Sequence, residues 1–407
     1  MPPHRKNRCV LVAAPASISH QVRIYYDGIE RYCTQKRPDW TVRYALSKSF
    51  FDINLPTLDR ELASGLDGII LGMRPPPDTL ERVCRAGLKV VIIDPAQPVP
   101  DQFRSGNLAT VQVDERRLAK TAVDFMLRTE RYASHAFCFS NDFWFGEVDS
   151  GGKAPRWRSQ RQDAIIAELA RRGHSCTVLE LPKDKDRLLA LPKPAAIFAA
   201  NDPMACAVSE ACFYNGIRIP QEVALLGVDN EPFLCQHAQP TLSSVAPDFE
   251  LAGYTAARLM DALLHNRRVK STTTYGIREV VERLSTAASS PAGRLAAKAD
   301  DLIRRHARQG LKVEDLARMM GISKRLLTLR YRQIKRTTVL QAIHAARLAE
   351  VVKLLDSTNC PIGEIASICG FADGAPLKRL FKAHYGVTMR DWRTGARHPS
   401  LCGISLK

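Results

Sequence analysis

Five cations lie within the fifteen residues 321–335, interleaved with leucines, a tyrosine and an isoleucine. No Asp or Glu occurs from residue 321 to residue 340, so this charge is not balanced within its own segment. A helix face of this kind can bind the phosphates of a nucleic acid and donate hydrogen bonds to guanine. A solvated surface helix and a membrane-surface helix are the alternatives. The cations are Lys324, Arg325, Arg330, Arg332 and Lys335.

The polar and apolar side chains of this segment separate onto two faces when it is wound as a helix at about 100° per residue. Leu327, Tyr331 and Ile334 share one sector, and all the cations except Arg330 share the neighbouring one. A solvated helix would mix acids with its bases, and a membrane helix would need a wider apolar face. The pattern therefore favours a helix that docks in the major groove of DNA. The residues predicted to contact DNA are Lys324, Arg325, Thr328, Arg332 and Lys335.

The same pattern occurs a second time about 50 residues further along the chain. Residues 315–323, "DLARMMGIS", align with residues 364–372, "EIASICGFA". Each copy predicts a helix, a glycine-containing turn and a second helix, which is a helix-turn-helix. Residues 338–358 have sustained helical spacing and are predicted to form a connecting helix. In the second copy the predicted DNA contacts are Ala375, Lys378, Arg379 and Lys382.

The positive charge of the chain is concentrated in this region. The 407 residues carry a net charge of +17. Residues 291–407 contain 22 Lys and Arg against 9 Asp and Glu, whereas the preceding residues contain 37 against 33. A bias that only aids solubility would extend over the whole chain. The local excess indicates a polyanionic partner for the C-terminal third alone.

The N-terminal part alternates short β-branched runs with segments of helical spacing. The first run, residues 9–14, is read as a buried strand and not as a signal peptide, because Pro15 interrupts it. Strands that alternate with helices predict parallel sheets covered on both faces, and about 280 residues suggest two lobes. The other predicted strands are residues 67–72, 89–94, 110–114, 135–140, 195–202 and 223–230, and the helices include 24–33, 117–127, 159–171 and 203–214.

Polar residues at the ends of these strands are the candidate ligand contacts, since ligands of parallel sheets bind beyond the C-terminal strand ends. Carboxylates and amides form paired hydrogen bonds with the hydroxyls of a sugar, and aromatic rings cover its C–H faces. The alternatives are structural: Asp202 would be a helix N-cap, with Pro203 opening the helix, and Tyr25 would be a core residue. The candidates are Asp94, Asn201, Asp202, Asp229 and Asn230, with Trp144 and Tyr25 as the aromatic contacts.

Several function classes are disfavoured by the absence of their motifs. No GxGxxG or GxxxxGK[ST] follows a strand, and no GxSxG occurs, so we expect no enzyme and no nucleotide cofactor. The eleven cysteines include no CxxC pair and form no cluster with histidines at ligand spacing, so we expect neither a metal site nor a disulfide framework. No apolar stretch reaches about 18 residues, so no membrane span is expected. Reduced thiols predict a cytoplasmic protein.

Residues 195–264 resemble the sensor domain of LacI/GalR-type repressors, and the most specific pieces are "GVDNE" followed by "PTLSSV". The segment "RWRSQRQDAI", residues 156–165, resembles the start of the arginine-bearing helix of that sensor. The pattern is most similar to the xylose-operon activator type, in which this sensor precedes an AraC-type domain. The resemblance implies a two-lobed periplasmic-binding fold of type I with a sugar between the lobes. It also implies Asp229 as a hydroxyl acceptor, Arg161 as a donor, Asn201 or Asp202 as a partner, and Asp94 at the equivalent strand end of the N-terminal lobe.

The C-terminal third resembles the AraC-type domain of two helix-turn-helix units. The matching segments are "LARMMGISKRLLTLRYRQI", "RLAEVVKLLDSTNCPIGEIASICGF" and "FKAHYGVTMRDWR". Pro376 departs from the pattern. The resemblance implies transcription activation at tandem DNA sites, with RNA polymerase and a second copy of the chain as further partners.

These observations predict a cytoplasmic DNA-binding transcription regulator, most simply an activator, that responds to a small sugar such as a pentose. The alternatives are a regulator whose sensor no longer binds a sugar and a sugar-binding protein without a regulatory role. The predicted organisation is a two-lobed α/β sensor at 1–284, a linker at 285–298, an all-α double helix-turn-helix domain at 299–396 and a tail at 397–407.

Overall fold

The computed structural model describes residues 8–13, 20–45, 55–72, 77–100, 103, 106–128, 132–140, 156–287, 291–335, 337–371 and 373–394. The chain divides into two compact units, an N-terminal unit of Met1–Thr286 and a C-terminal unit of Ala287–Lys407.

The first lobe of the N-terminal unit is a six-stranded parallel sheet. Its central strands are apolar on both faces and buried on both faces, which is the pattern of a parallel sheet covered by helices. In spatial order the strands are β2 (Trp40–Ala45), β1 (Arg8–Ala13), β3 (Gly68–Gly72), β4 (Lys89–Ile93), β5 (Leu108–Val113) and β11 (Thr272–Tyr275). The helices of this lobe are α1 (His20–Lys36), α2 (Leu55–Ala63), α3 (Pro77–Arg85) and α9 (Phe249–Leu264).

Two glycines let helices α1 and α9 pack with their backbones in contact. A side chain at Gly28 would meet the backbone of Glu250, and a side chain at Gly253 would meet the backbone of Tyr25. The interface therefore depends on the missing Cβ at both positions.

The second lobe is a six-stranded sheet in which only the edge strand β12 runs antiparallel to its neighbour. In spatial order its strands are β7 (Thr177–Glu180), β6 (Ser134–Phe139), β8 (Ala195–Ala199), β9 (Val223–Val228), β10 (Ser243–Pro247) and β12 (Ile277–Val281). Its helices are α4 (Glu115–Leu127), α5 (Arg156–Arg171), α6 (Lys185–Leu189), α7 (Asp202–Tyr214) and α8 (Pro232–His237).

The chain crosses between the lobes three times, and the crossovers are hydrogen-bonded to one another. The backbone N–H of Asp114 donates to the carbonyl of Tyr275 at 2.9 Å, and that of Asp248 donates to the carbonyl of Gly276 at 3.0 Å. These contacts tie the three crossover segments together between the two lobes. The predicted two-lobed α/β fold is confirmed.

The C-terminal unit is helical, and its described residues form two similar cores. The first surrounds Leu316, Leu327 and Tyr331, and the second surrounds Ile365, Leu377 and Phe381. These are equivalent positions in the two sequence copies, so the predicted pair of helix-turn-helix motifs is confirmed. The helices are α10 (Pro291–His306), α11 (Val313–Met319), α12 (Lys324–Lys335), α13 (Val339–Ser357), α14 (Ile362–Ile368), α15 (Gly374–Tyr385) and α16 (Met389–Arg393).

A buried arginine joins the two motifs. Arg347 of the connecting helix α13 donates to the carbonyls of Ala307 at 2.9 Å and Leu311 at 2.8 Å, and it lies 5.4 Å from the ring centre of Phe371. The turn glycine Gly370 has φ 76°, and a Cβ there would lie 2.6 Å from the carbonyl oxygen of Arg308. The hydrogen bonds of Arg347 and the close approach of Gly370 to the backbone of Arg308 hold the second motif against the first.

The linker predicted at 285–298 is too long at both ends. Ser285 and Thr286 are buried in a short 3-10 turn of the N-terminal unit. Helix α10 already begins at Pro291, because Ala296, Ala299 and Ile303 form an apolar stripe that packs into the first core. Of the small residues that suggested a linker, Ala296 and Ala297 thus lie on the buried face of a helix.

Candidate functional site

The cleft carries two carboxylates on strained backbone, one at a strand end in each lobe. Asp94 follows β4 with φ 47°, and Asp229 follows β9 with φ 101°. Asn230, the next residue, has φ 49°. Residues other than glycine adopt a positive φ only at a cost in conformational free energy, and residues with such strain concentrate at binding sites. The two lobes therefore present acidic groups where a parallel sheet binds its ligands.

The carboxylate of Asp94 is hydrogen-bonded to the protein on both oxygens. Its Oδ2 accepts hydrogen bonds from the hydroxyls of Tyr25 and Tyr275, the latter at 2.6 Å. Its Oδ1 accepts from the backbone N–H of Val113 at 3.0 Å. Burial raises the pKa of Asp94, and these hydrogen bonds together with the charge of Arg161 oppose that rise. These three hydrogen bonds use most of the acceptor capacity of the carboxylate and leave about one further position for a ligand.

Tyr25 is not available as an aromatic cover for a ligand. Its ring is fully buried and meets Phe249 edge to face, with ring centres 5.6 Å apart. The core alternative left open by the sequence therefore describes Tyr25 better. Trp144, the other predicted aromatic contact, lies outside the described residues.

Arg161 is a buried cation of the second lobe that joins α5 to the start of α4 and to the residue after β8. Its Nε and Nη2 each donate to the carboxylate of Glu115 at 3.0 Å, and its Nη1 donates to the carbonyl of Ala200 at 2.6 Å. Burial raises the pKa of Glu115, and the charge of Arg161 and its hydrogen bonds oppose that rise. Sequence reasoning missed Glu115, although its position directly after β5 and Asp114 is a signal that could have found it.

Asp229 is the acidic group of the cleft whose carboxylate has no hydrogen bond to another described residue. Burial raises its pKa to about 6; the charge of Arg161 opposes this shift and the charge of Asp94 adds to it. Its backbone N–H is fixed by the carbonyl of Val245 at 2.9 Å. The turn is thus anchored while the carboxylate oxygens stay available to accept hydrogen bonds.

Asp202 has a structural role that differs from both sequence predictions. It is fully buried and accepts hydrogen bonds from the hydroxyl of Ser244 at 2.6 Å and the backbone N–H of Glu231 at 2.7 Å. The thiol of Cys235 donates to it at 3.3 Å. Burial raises the pKa of Asp202 to about 8, and the charge of Asp229 adds to the shift. We therefore assign Asp202 to holding the turn that carries Asp229.

The neighbouring amides are likewise engaged with the protein. Asn201, and not Asp202, is the N-cap of α7, because its side chain accepts the backbone N–H of Met204 at 3.0 Å. The side-chain oxygen of Asn230 accepts from Arg283 at 2.8 Å. Among the predicted ligand contacts, the structure brings Asp94, Arg161 and Asp229 together in the cleft.

The exposed face of α12 differs from the face predicted on the helical wheel. Arg325 and Arg332 are exposed, and no ion pair within the described part of the chain neutralises them. Leu329, which sequence reasoning missed, lies between them and is 53% exposed. The signal for Leu329 was its spacing, four residues after Arg325 and three before Arg332, which places all three on one face.

The two lysines at the ends of α12 are bound to acids of the scaffold. Lys324 contacts Glu314 at 2.5 Å, and Lys335 contacts Asp300 at 2.7 Å. Tyr331 also donates its hydroxyl to Asp300. The sequence placed both lysines in the basic face, but Lys335 lies at its edge toward α10. Thr328 is half-buried beside them.

The second recognition helix, α15, presents its predicted contacts to solvent. Its four predicted DNA-contacting residues are all exposed, whereas Leu377 and Phe381 are buried on the opposite side. Asp373 caps the helix by accepting the N–H of Ala375 at 2.7 Å. Pro376 therefore falls in the first turn, where its missing N–H costs no intrahelical bond. The exposed residues are Ala375, Lys378, Arg379 and Lys382.

The described residues show neither a metal-binding cluster nor a membrane-spanning helix. Among the described residues, no three His, Cys, Asp or Glu side chains converge as a metal site would require. No described helix combines the length and the apolarity needed to cross a bilayer.

Known proteins match both units of the chain. Residues 132–286 match the periplasmic binding protein-like domain family, and residues 316–395 match a helix-turn-helix domain family. The xylose operon regulatory protein of Escherichia coli K12 is 30% identical over 264 residues, which cover 61% of this chain and 67% of that protein. The protein of the same description in Haemophilus influenzae is 28% identical over 251 residues, covering 58% and 65%.

The fold of the whole chain has a counterpart among solved structures. The structure described as the xylose-binding transcription activator XylR superposes with a TM-score of 0.55, at 22% identity, over 96% of this chain and 99% of that one. This match concerns the fold, and the sequence match to the Escherichia coli protein concerns the family. The chain belongs to the family of xylose operon regulatory proteins, transcription regulators in which a periplasmic-binding-like sensor precedes a helix-turn-helix domain.

Proposed function

We propose that this protein is a cytoplasmic transcription regulator that binds DNA through α12 and α15 and responds to a small sugar in the interlobe cleft. The observation that carries the proposal is the pair of recognition helices with exposed cations and buried opposite faces. Each helix has the shape and charge that fit a major groove. Catalysis is not part of the proposed role.

On α12 the proposed contacts are centred on Arg325, Leu329 and Arg332. The two arginines would bind phosphates or the acceptor edge of guanine, and Leu329 would contact the methyl group of a thymine. The lysines at the ends of the helix would contribute less, because Glu314 and Asp300 already neutralise them. On α15 the contacts would be Ala375, Lys378, Arg379 and Lys382.

The proposed sugar site is centred on Asp229. Its carboxylate has oxygens available for hydroxyl donors, and the charge of Arg161 opposes the rise in its pKa that burial causes. A sugar that donates to Asp229 would favour the ionised carboxylate and so stabilise the occupied cleft. A pentose such as xylose is the first candidate, because the related proteins are named for xylose.

Ligand binding would alter DNA binding only if the ligand prefers one arrangement of the two lobes. We propose that the regulator acts as a homodimer on tandem sites, so that closure of the lobes changes how two copies present their recognition helices. Transcription activation through RNA polymerase is the expected output.

A second candidate is a regulator of the same architecture whose sensor binds no sugar. This candidate is favoured by the hydrogen bonds that occupy Asp94 and by the pairing of Arg161 with Glu115, which together leave few free polar groups in the cleft.

The proposal is tested with the full-length protein and a pool of random duplexes. Selection should enrich a tandem pair of half-sites, and D-xylose, L-arabinose, D-ribose and D-glucose are then tested for a change in affinity for the enriched DNA. Arg325→Ala should weaken DNA binding and keep the thermal shift caused by the active sugar, whereas Asp229→Ala should do the reverse. If no sequence is enriched, the DNA-binding role is wrong. If no sugar stabilises the protein, the second candidate replaces the first.

A further inference from the structure

Four residues at the end of the N-terminal unit, Arg283 to Thr286, lead directly into the C-terminal unit. We call them the exit segment. Arg283, Ser285 and Thr286 are buried, so this segment is part of the second lobe and not a surface connection. The chain continues from it to Ala287, where the C-terminal unit begins.

Hydrogen bonds fasten the exit segment to the start of β10. The hydroxyl of Ser243 donates to the carbonyl of Arg283 at 3.0 Å and accepts from its backbone N–H at 2.7 Å. The backbone N–H of Ser285 donates to the carbonyl of Thr241 at 2.9 Å, and its hydroxyl donates to the carbonyl of Leu225 in β9 at 2.6 Å. The segment is therefore bonded to β9, which ends at the cleft turn, and to the neighbouring strand β10.

The side chain of Arg283 connects this segment to the cleft. Only 4% of the surface of Arg283 is exposed to solvent. Its Nη2 donates to the side-chain oxygen of Asn230 at 2.8 Å, and its Nη1 donates to the carbonyl of Leu242 at 2.7 Å. One guanidinium thus contacts both Asn230, beside Asp229, and the residue that directly precedes β10.

The cleft turn is also held by hydrogen bonds to Ser244 and Asp202, which do not involve the exit segment. The hydroxyl of Ser244 accepts the backbone N–H of Asn230 at 3.0 Å and donates to Asp202 at 2.6 Å. Asp202 in turn accepts the backbone N–H of Glu231. Ser244 and Asp202 therefore fix the backbone of the turn, while the side chain of Arg283 bonds the turn to the exit segment.

We propose that Arg283 is a positioning residue that couples the Asp229–Asn230 turn of the cleft to the exit segment, so that occupation of the cleft changes the constraint on the chain entering the C-terminal unit. The turn is held at positive φ in both residues, and a ligand that bonds Asp229 selects one of its backbone arrangements. The guanidinium is rigid and shielded from water, so it transmits a shift of Asn230 to the exit segment. This inference rests on the proposed function.

The first experiment needs no ligand. Hydrogen exchange followed by mass spectrometry is measured on the full-length protein and on Asn230→Ala, which removes the acceptor of Arg283. Exchange of the Leu284 and Ser285 amides should rise by about fivefold or more, because the exit segment opens locally more often. The matched control is Asn201→Ala, which removes an amide at the end of the adjacent strand β8 and should leave these two amides unchanged.

The second experiment uses Arg283→Lys, which keeps the charge but replaces the two donor nitrogens of the guanidinium by one. This variant should bind D-xylose with close to the wild-type affinity, while the change in DNA affinity caused by D-xylose falls from the range of about 5–150-fold expected for coupled sites toward unity. A residue with a purely structural role would alter stability and both affinities together. Exchange at the distant strand β4 reports whether the variant is folded.

Two results would overturn the coupling. One is exchange at Leu284 and Ser285 that stays at the wild-type rate in Asn230→Ala. The other is an Arg283→Lys protein whose DNA affinity still responds to D-xylose by the wild-type factor. If the wild-type protein does not bind D-xylose, the proposed effector is wrong, and the exchange experiment still decides whether Arg283 links the turn to the exit segment.

Discussion

Removing the charge of Arg325 should weaken DNA binding and make that binding less sensitive to salt, whereas removing the charge of Lys335 should change neither strongly. Three variants test this expectation: Arg325→Gln, Arg332→Gln and Lys335→Gln. Each removes one positive charge from α12 and leaves a side chain that can form hydrogen bonds. The two arginines are exposed without an ion pair to a described residue, while Lys335 lies 2.7 Å from Asp300.

The magnitude follows from counterion release. Each phosphate contact contributes about 0.9 to the slope of log K against log salt. Loss of Arg325 or Arg332 should therefore lower the magnitude of the slope by about 0.9. When salt rises fourfold, the factor by which the variant loses affinity should then be about 3.5-fold smaller than the factor for the wild type. Lys335 and Asp300 together carry no net charge, so loss of Lys335 should change the slope by much less.

The assay is fluorescence anisotropy with a labelled duplex at 50, 100 and 200 mM KCl, a range over which such slopes are measurable. Asp300→Asn is the matched control, because it keeps an acceptor for Tyr331 but frees the charge of Lys335, and it should raise the slope. The reasoning is refuted if Lys335→Gln lowers the slope as much as Arg325→Gln does, or if Arg325→Gln leaves the slope unchanged.

Three further predictions concern Leu329, Asp229 and Arg347. Leu329→Ala should weaken binding to the selected DNA. Replacing one thymine of that DNA by uracil should lower the affinity of the wild type and of the control Leu326→Ala, but not that of Leu329→Ala. Equal losses of affinity in all three proteins would exclude a thymine-methyl contact. Asp229→Asn should abolish sugar binding yet stabilise the sensor by up to about 3 kcal/mol at pH 7, since burial raises the pKa of Asp229 to about 6. The folded state binds the extra proton, so this gain should shrink as the pH falls from 6 to 4, and urea unfolding that shows a gain independent of pH would contradict the argument. Arg347→Met should destabilise the C-terminal unit by about 2–4 kcal/mol, because two buried carbonyls lose their donor, and a change below about 0.5 kcal/mol in thermal unfolding would rule out that role.

The elements that sequence analysis found are those whose pattern is local. Buried strands such as β8 and β9 are continuous apolar runs, and the helices of both helix-turn-helix motifs have a 3.6-residue spacing with a glycine at the turn. Short or polar edge strands such as β7 and β11 have no such pattern, because their pairing with a neighbour and not their own composition makes them strands. The first half of α10 was assigned to the linker because the residues that it buries there, such as Ala296 and Ala297, are small.

The sequence by itself determined the two-unit architecture, the duplicated basic helices and the strand ends that carry Asp94 and Asp229, since periodicity and charge are properties of neighbouring residues. Only the tertiary structure decided which of these groups are free to bind a partner. Tyr275 reaches Asp94 from 181 residues away, and Asp300 reaches Lys335 from another helix. A side chain is available or occupied according to what packs against it, and those partners come from distant parts of the chain that local spacing does not encode.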